Sequence, residues 1–340
     1  MAQKCVFCGN KPRNKNKEHI IPQWLSKYLG CYKSICYMPR ITDLKLTFAQ
    51  LTFPACEKCN SMDSNLEGAA KTIIEKMMSQ QSVTGQEIST LMDWFDKLRI
   101  GLWLGQLTLQ KRLDLINPNF YINNRIATKD RMLIIERFNG PGNGLAMIGN
   151  DTTMFSYAPC AFQVWFNDVL ITNASTDGLV GNKLGFPILS KQHSVSYRQN
   201  SGTLSKGINK TTHPVVMNID GNYKTVIYQP IFKELIPHDF YDVPYVHQHC
   251  YDYDAGLGGV FVQKNGNTIK YMKPDDKLNL LPKKQTENTE VKSTKRVFEL
   301  QNHITSKLHN LSKYNQEDQN FIKVCMLENQ ALINSLVKTK

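Results

Sequence analysis

Two Cys-x-x-Cys pairs, Cys5 with Cys8 and Cys56 with Cys59, flank the acid–histidine couplet Glu18-His19, and Asn60 follows the last cysteine directly. Four thiolates at such spacing suit a closed tetrahedral structural zinc, which leaves no open position for chemistry. Any reaction must then come from the residues that the zinc positions. The 47-residue gap between the pairs exceeds that of a simple zinc ribbon and has room for a further hairpin. Cys31 and Cys36 are rival ligands at a looser spacing. His19 is the side chain best suited to proton transfer, because a neutral imidazole near pH 7 can deprotonate a water.

The order Cys-Val-Phe-Cys, then Glu-His-Ile-Ile-Pro, then Cys-Glu-Lys-Cys-Asn resembles the HNH endonuclease family in its four-cysteine form. The resemblance covers the stretch 5–67. It implies a zinc-stapled ββα-metal module in which His19 is the general base facing the scissile phosphate. It also implies that Glu18 and Asn60 hold a divalent cation, Mg²⁺ or Mn²⁺, with Asp63 as an additional ligand or a helix-start acid. Glu18 departs from the commoner Asp of the family, and Asn60 stands where many members have His. Asn65 and Glu67 are weaker candidates; Glu67 could orient His19 or a lysine. Gln50 is a substitute for the family's orienting Asn. The expected reaction is hydrolysis of DNA phosphodiester bonds, leaving a 5′-phosphate and a 3′-OH. A non-catalytic zinc-dependent nucleic-acid-binding protein and an RNA- or single-strand-specific nuclease are the alternatives. Such modules are paired with unfamiliar domains in restriction and anti-phage defence, and by that analogy a defence effector with a partner protein or signal is expected.

The charge is consistent with a polyanionic partner. The chain carries a net charge of +12, and residues 1–48 hold nine Lys or Arg against only Glu18 and Asp43. Arg13, Lys15, Lys17 and Lys58 are the expected nucleic-acid contacts, since phosphate binding is dominated by such cations. Double-strand cutting with one site per chain is simplest for a homo-oligomer. No apolar run is long enough to span a bilayer, and the first residues lack the apolar core of a secretory signal. The nine cysteines then read as ligands and buried thiols, and a cytoplasmic location is expected.

The elements that must position these residues give an α+β chain. Residues 1–80 form the nuclease module, with a short strand at His-Ile-Ile stopped by Pro22, one or two strands over 41–53, and a helix over 60–80. A helical connector fills 81–128, where Leu91, Trp94, Phe95, Leu98 and Leu102 recur at helical spacing. Residues 129–272 alternate as strands, with Asn167-Asp168 as a hairpin turn and the Gly-rich stretch 140–144 as a turn. A polar linker is expected over 273–296 and helices over 297–340. His247 and His249 suit an aromatic strand face better than a metal cluster, and Trp94, Trp103 and Trp165 read as core anchors.

Overall fold

The computed structural model describes residues 4–38, 40–116, 118–138, 144–176, 188–196, 199–205, 224–231, 250–252, 257–264, 269–279, 289–309 and 315–338. Helices and strands are mixed along the chain, as expected for an α+β protein. His247, His249 and residues 140–143 lie outside the described residues.

The N-terminal strands are β1 (Lys15–His19), β2 (Ile35–Cys36), β3 (Leu46–Thr47) and β4 (Thr52–Cys56). β1 pairs antiparallel with β4, Lys15 opposite Cys56 and His19 opposite Thr52. β1 ends at His19, earlier than the strand expected through Ile21, and Pro22 then caps the start of helix α1 (Gln23–Tyr28). β4 leads directly into α2 (Glu57–Met62) and α3 (Ser64–Met78).

β5 (Val83–Thr84) precedes α4 (Gly85–Leu109), whose start is fixed by a capping box between Thr84 and Glu87. α4 is buried along most of its 25 residues. Gly101 and Gly105 lie one turn apart on it, and a Cβ there would meet the Ile20 side chain at 3.0 Å and the Phe53 ring at 2.8 Å. These two glycines let the β1–β4 ladder seat closely on α4.

The remaining strands of the main sheet are β6 (Asp130–Arg137), β7 (Leu145–Ile148), β8 (Ala161–Phe166), β9 (Val169–Thr176), β12 (Lys224–Gln229), β15 (Val260–Lys264) and β16 (Ile269–Met272). They form one antiparallel sheet in the order β16-β15-β12-β6-β9-β8-β7. β10 (Ile188–Ser196) pairs with β11 (Gln199–Ser205), and β13 (Cys250–Asp252) with β14 (Leu257–Gly258). The β8–β9 hairpin turns at Asn167-Asp168, with Asn167 at φ +50°, a conformation that asparagine tolerates.

Every residue of β6 is buried, because both faces of the sheet are covered. Leu133 and Ile135 join the core formed with the N-terminal module and α4. Met132 and Ile134, on the opposite face, join a second core with Val297, Phe298 and Ile304 of α6 (Thr289–His309). α7 (Gln316–Lys338) packs on α6. A short helix, α5 (Thr153–Tyr157), packs against α4 and α7.

Two boundaries differ from the sequence reading. The stretch expected as a 273–296 linker is partly structured: β17 (Lys277–Leu278) pairs with β5, and α6 begins at Thr289. Its polar composition hides a helix whose inward face, Ser293 and Arg296, binds Glu136 of β6. The connector is also continuous in packing with its neighbours, since residues of the module, α4 and the sheet share one core.

The contact between α4 and the sheet is partly ionic. Arg131 is fully buried and meets Asp93 at 2.5 Å and Asp96 at 3.1 Å, while Arg99 meets Asp96 at 2.7 Å. Removing one partner of a buried ion network leaves uncompensated charge. Arg131→Met is therefore expected to destabilise the fold by about 3–5 kcal/mol, read from urea unfolding; a shift under about 1 kcal/mol would show that Asp93 and Asp96 are rescued by Arg99 and water.

Candidate metal centre and active site

The four cysteines expected as zinc ligands come together. Their Sγ atoms all lie within 4.8 Å of one another, and Cys8 Sγ is 3.9 Å from Cys56 Sγ. A tetrahedral ion with Zn–S bonds of about 2.3 Å requires sulfur–sulfur edges of about 3.8 Å, so the group fits zinc. The first pair sits on a tight turn in which Gly9 N–H donates to Cys5 O at 2.9 Å, with Gly9 at φ +73°. A side chain at Gly9 would also strike the Tyr121 ring at 2.5 Å. The second pair spans the end of β4 and the first turn of α2, and Cys56 N–H donates to Cys5 Sγ at 3.2 Å.

The thiols experience opposing pulls. Burial pushes the Cys59 thiol up to about 12, reinforced by the negative charge of Cys5 beside it. Cys8 is partly buried, which raises its thiol, but hydrogen bonding from the Asn10 backbone and the neighbouring thiols brings it below its ordinary value. Four crowded sulfurs cannot all ionise unless a cation holds them. Cys31 and Cys36 are not part of this group. Both are buried, and burial pushes Cys36 up to about 11, as befits inert core thiols.

The Glu18-His19 couplet is split by the pleat of β1. Glu18 stands opposite Phe53 on the buried face, and Lys17 and His19 share the other. His19 is half-buried, with its ring 6.5 Å from that of Tyr32. Tyr32 is held in turn by Gln23 Nε2, which donates to its hydroxyl at 2.6 Å, and by Lys27, 5.2 Å from the ring centroid.

On the inner face, Glu18 meets Asp63 and Glu67. One carboxylate oxygen from each lies within 4.8 Å of the others, a donor set that suits a hard cation such as Mg²⁺ or Mn²⁺. At the centre is a residue absent from the sequence reading. The Lys97 ammonium of α4 lies 2.9 Å from Glu18 and 2.8 Å from Asp63, and also contacts Glu67. Glu67 further accepts from Trp24 Nε1 at 2.9 Å and Trp94 Nε1 at 3.1 Å. Trp94 is thus both core anchor and donor. Burial raises the Glu18 carboxyl above its usual range despite the lysine beside it. Burial opposes the charge on Lys97 as well, but Glu67, Glu18 and Asp63 together raise its pKa well above the ordinary lysine value.

Of the three residues expected to hold a divalent cation, the structure brings Glu18 and Asp63 into one cluster. Asn60 stands nearby on α2, where its Nδ2 donates to Lys17 O at 3.4 Å. Glu67 joins the cluster and takes a lysine as its partner. Gln50 instead caps a 3-10 turn, accepting from Thr47 N–H at 2.9 Å, so it orients nothing at His19. The signal for Lys97 in the sequence is a charged stretch, Asp96, Lys97 and Arg99, inside an otherwise apolar helix.

Arg13 and Lys58 line an open groove against the zinc knuckle, together with Asn14, Glu57 and Ser61. Glu57 accepts from Asn14 Nδ2 at 3.2 Å, which places one acid in the basic groove. Lys17 is exposed on the His19 face of β1.

In comparisons with known proteins, no family model, no curated protein and no solved structure matches this chain. Cys56→Ser is expected to abolish stoichiometric zinc in metal analysis and to lower the melting temperature, because metal binding here is folding free energy. A variant that kept one zinc per chain would remove Cys56 from the ligand set.

Proposed function

We propose that the chain is a metal-dependent endonuclease of the HNH type that hydrolyses phosphodiester bonds in DNA. The observation that carries this reading is the mutual placement of zinc knuckle and couplet. The four-cysteine group ties the end of β4 and the start of α2 to the N-terminal turn, and β1 with Glu18-His19 is laid against β4 in the resulting frame.

In this reading, zinc is structural, held by Cys5, Cys8, Cys56 and Cys59. His19, on the outer face of β1, takes the proton from a water attacking phosphorus. Glu18, Asp63 and Glu67, with Asn60 beside them on α2, would supply the oxygens for a divalent cation, which when bound would lower the cost of charge on the phosphate and the departing 3′ oxygen. Arg13, Lys15, Lys17 and Lys58 attract and orient the backbone through its phosphates. By analogy, a restriction or anti-phage role is the setting we propose, with a second copy of the chain cutting the second strand.

The occupied carboxylate cluster favours a second reading. With Lys97 already on Glu18 and Asp63, a zinc-braced protein that binds nucleic acid without cutting it fits the same contacts. Cleavage of supercoiled plasmid by zinc-loaded protein separates the two, with Mg²⁺, Mn²⁺ or EDTA present. Nicking or linearisation in Mg²⁺ or Mn²⁺ is expected, lost in EDTA and reduced at least about 100-fold in His19→Ala, the usual worth of a general base. Cutting that survives His19→Ala would remove His19 from the mechanism. Retarded but uncut plasmid would favour the binding protein, and the same assay on RNA and single strands tests the substrate class.

A further inference from the structure

Lys97 is 3% exposed, so its ammonium has no access to water in place of its protein partners. A lysine ammonium has three N–H donors, and three carboxylates surround it: Glu18, Asp63 and Glu67. One positive charge thus faces three acids in a largely dry site. The two Trp N–H groups on Glu67 offset part of the excess, but they carry no net charge. The cluster is one that a divalent ion would neutralise better than a lysine does.

The exposures give a direction of approach. The side chains of Asp63 and Glu67 are 13% and 18% exposed, against 9% for Glu18, so an ion from solvent reaches the first two before the third. The four-carbon stem of Lys97 is flexible, and in the cluster its ammonium already lies over the Phe7 ring, between Cys5 and Cys8, with Nζ 5.7 Å from the centroid. That contact holds only part of the charge, so the carboxylates remain its main partners.

We infer that Lys97 is a tethered competitor for the divalent cation of this site. It holds Glu18, Asp63 and Glu67 in place when no ion is present, and must yield before an ion can take them. The inference rests on the proposed cation site. It weakens metal loading by a constant factor, because only the fraction of molecules in which the lysine has left the cluster is competent to bind. Since Lys97 lies on α4, four residues from Asp93 and one from Asp96, the same helix turn that meets Arg131 of the sheet carries the competitor.

The test is Mn²⁺ binding, followed by electron paramagnetic resonance, in zinc-loaded protein carrying His19→Ala, so that no cleavage is needed for the readout. Lys97→Gln is expected to bind one Mn²⁺ at least about tenfold more tightly than the parent. Adding Glu67→Gln should reverse the gain. Lys97→Arg, which keeps the charge, should stay within about threefold of the parent. Unchanged affinity in Lys97→Gln would overturn the inference, as would a Lys97→Gln protein that remains unfolded in millimolar Mn²⁺: either would make Lys97 a permanent structural counter-charge. Tighter Mn²⁺ binding with no plasmid cleavage by the His19-containing chain would sink the nuclease reading and leave the competitor standing.

Discussion

A buried ammonium surrounded by acids is the constraint to which the rest of the arrangement answers. Burying Lys97 alone would cost several kcal/mol, so its position requires Glu18, Asp63 and Glu67 to converge from three places: the inner face of β1, the junction of α2 and α3, and the first turn of α3. Convergence in turn demands that β1 and β4 lie close to α4. Gly101 and Gly105 supply the space, since any side chain there would meet Ile20 or Phe53. Small residues at two turns of a helix and a charged residue one turn earlier are thus parts of one packing solution.

The four-cysteine group sits at the other end of the same ladder. It brings Cys5 and Cys8 against the β4–α2 corner, and an ion held there would tie together segments 48 residues apart in sequence. Phe7 lies between the first two cysteines and against Lys97, so the thiol group and the carboxylate cluster are physically adjacent. α4 extends the linkage to the sheet, where Arg131 is held between Asp93, Asp96 and the side chain of Gln229. Each of these polar groups is costly to bury alone and tolerable in company. They give the interface between module and sheet a definite register where apolar packing alone would permit sliding.

Part of this was legible in residue order. The Cys-x-x-Cys pairs, the apolar helix through Trp94 and the Asn167-Asp168 hairpin are local signals, and each has its counterpart in the structure, whereas the strand expected at His-Ile-Ile lies earlier, at Lys15–His19, and the helix expected over 60–80 is divided at Asp63. The helix beginning at Thr289 was obscured by polar composition, because its buried positions include Ser293, Arg296 and Gln301, whose partners are on the sheet and in the turn at Gly149. The domain divisions were obscured for a related reason: apolar periodicity shows that a helix is buried but not against what, and α4 is buried against both neighbours.

What the sequence determined by itself was the chemistry that short spacing encodes: two Cys-x-x-Cys pairs, a histidine beside an acid, and a concentration of positive charge in the first 48 residues. Those depend on neighbours a few positions apart, where chain geometry leaves little choice. The tertiary structure decided which way each side chain faces and what meets it. It put Glu18 and His19 on opposite sides of one strand, drew Glu67 into the acidic cluster, and supplied Lys97 from 79 residues along the chain. No local rule encodes that last contact, because the energy that selects it, a buried charge finding its counter-charges, exists only once α4 and the ladder have closed on each other.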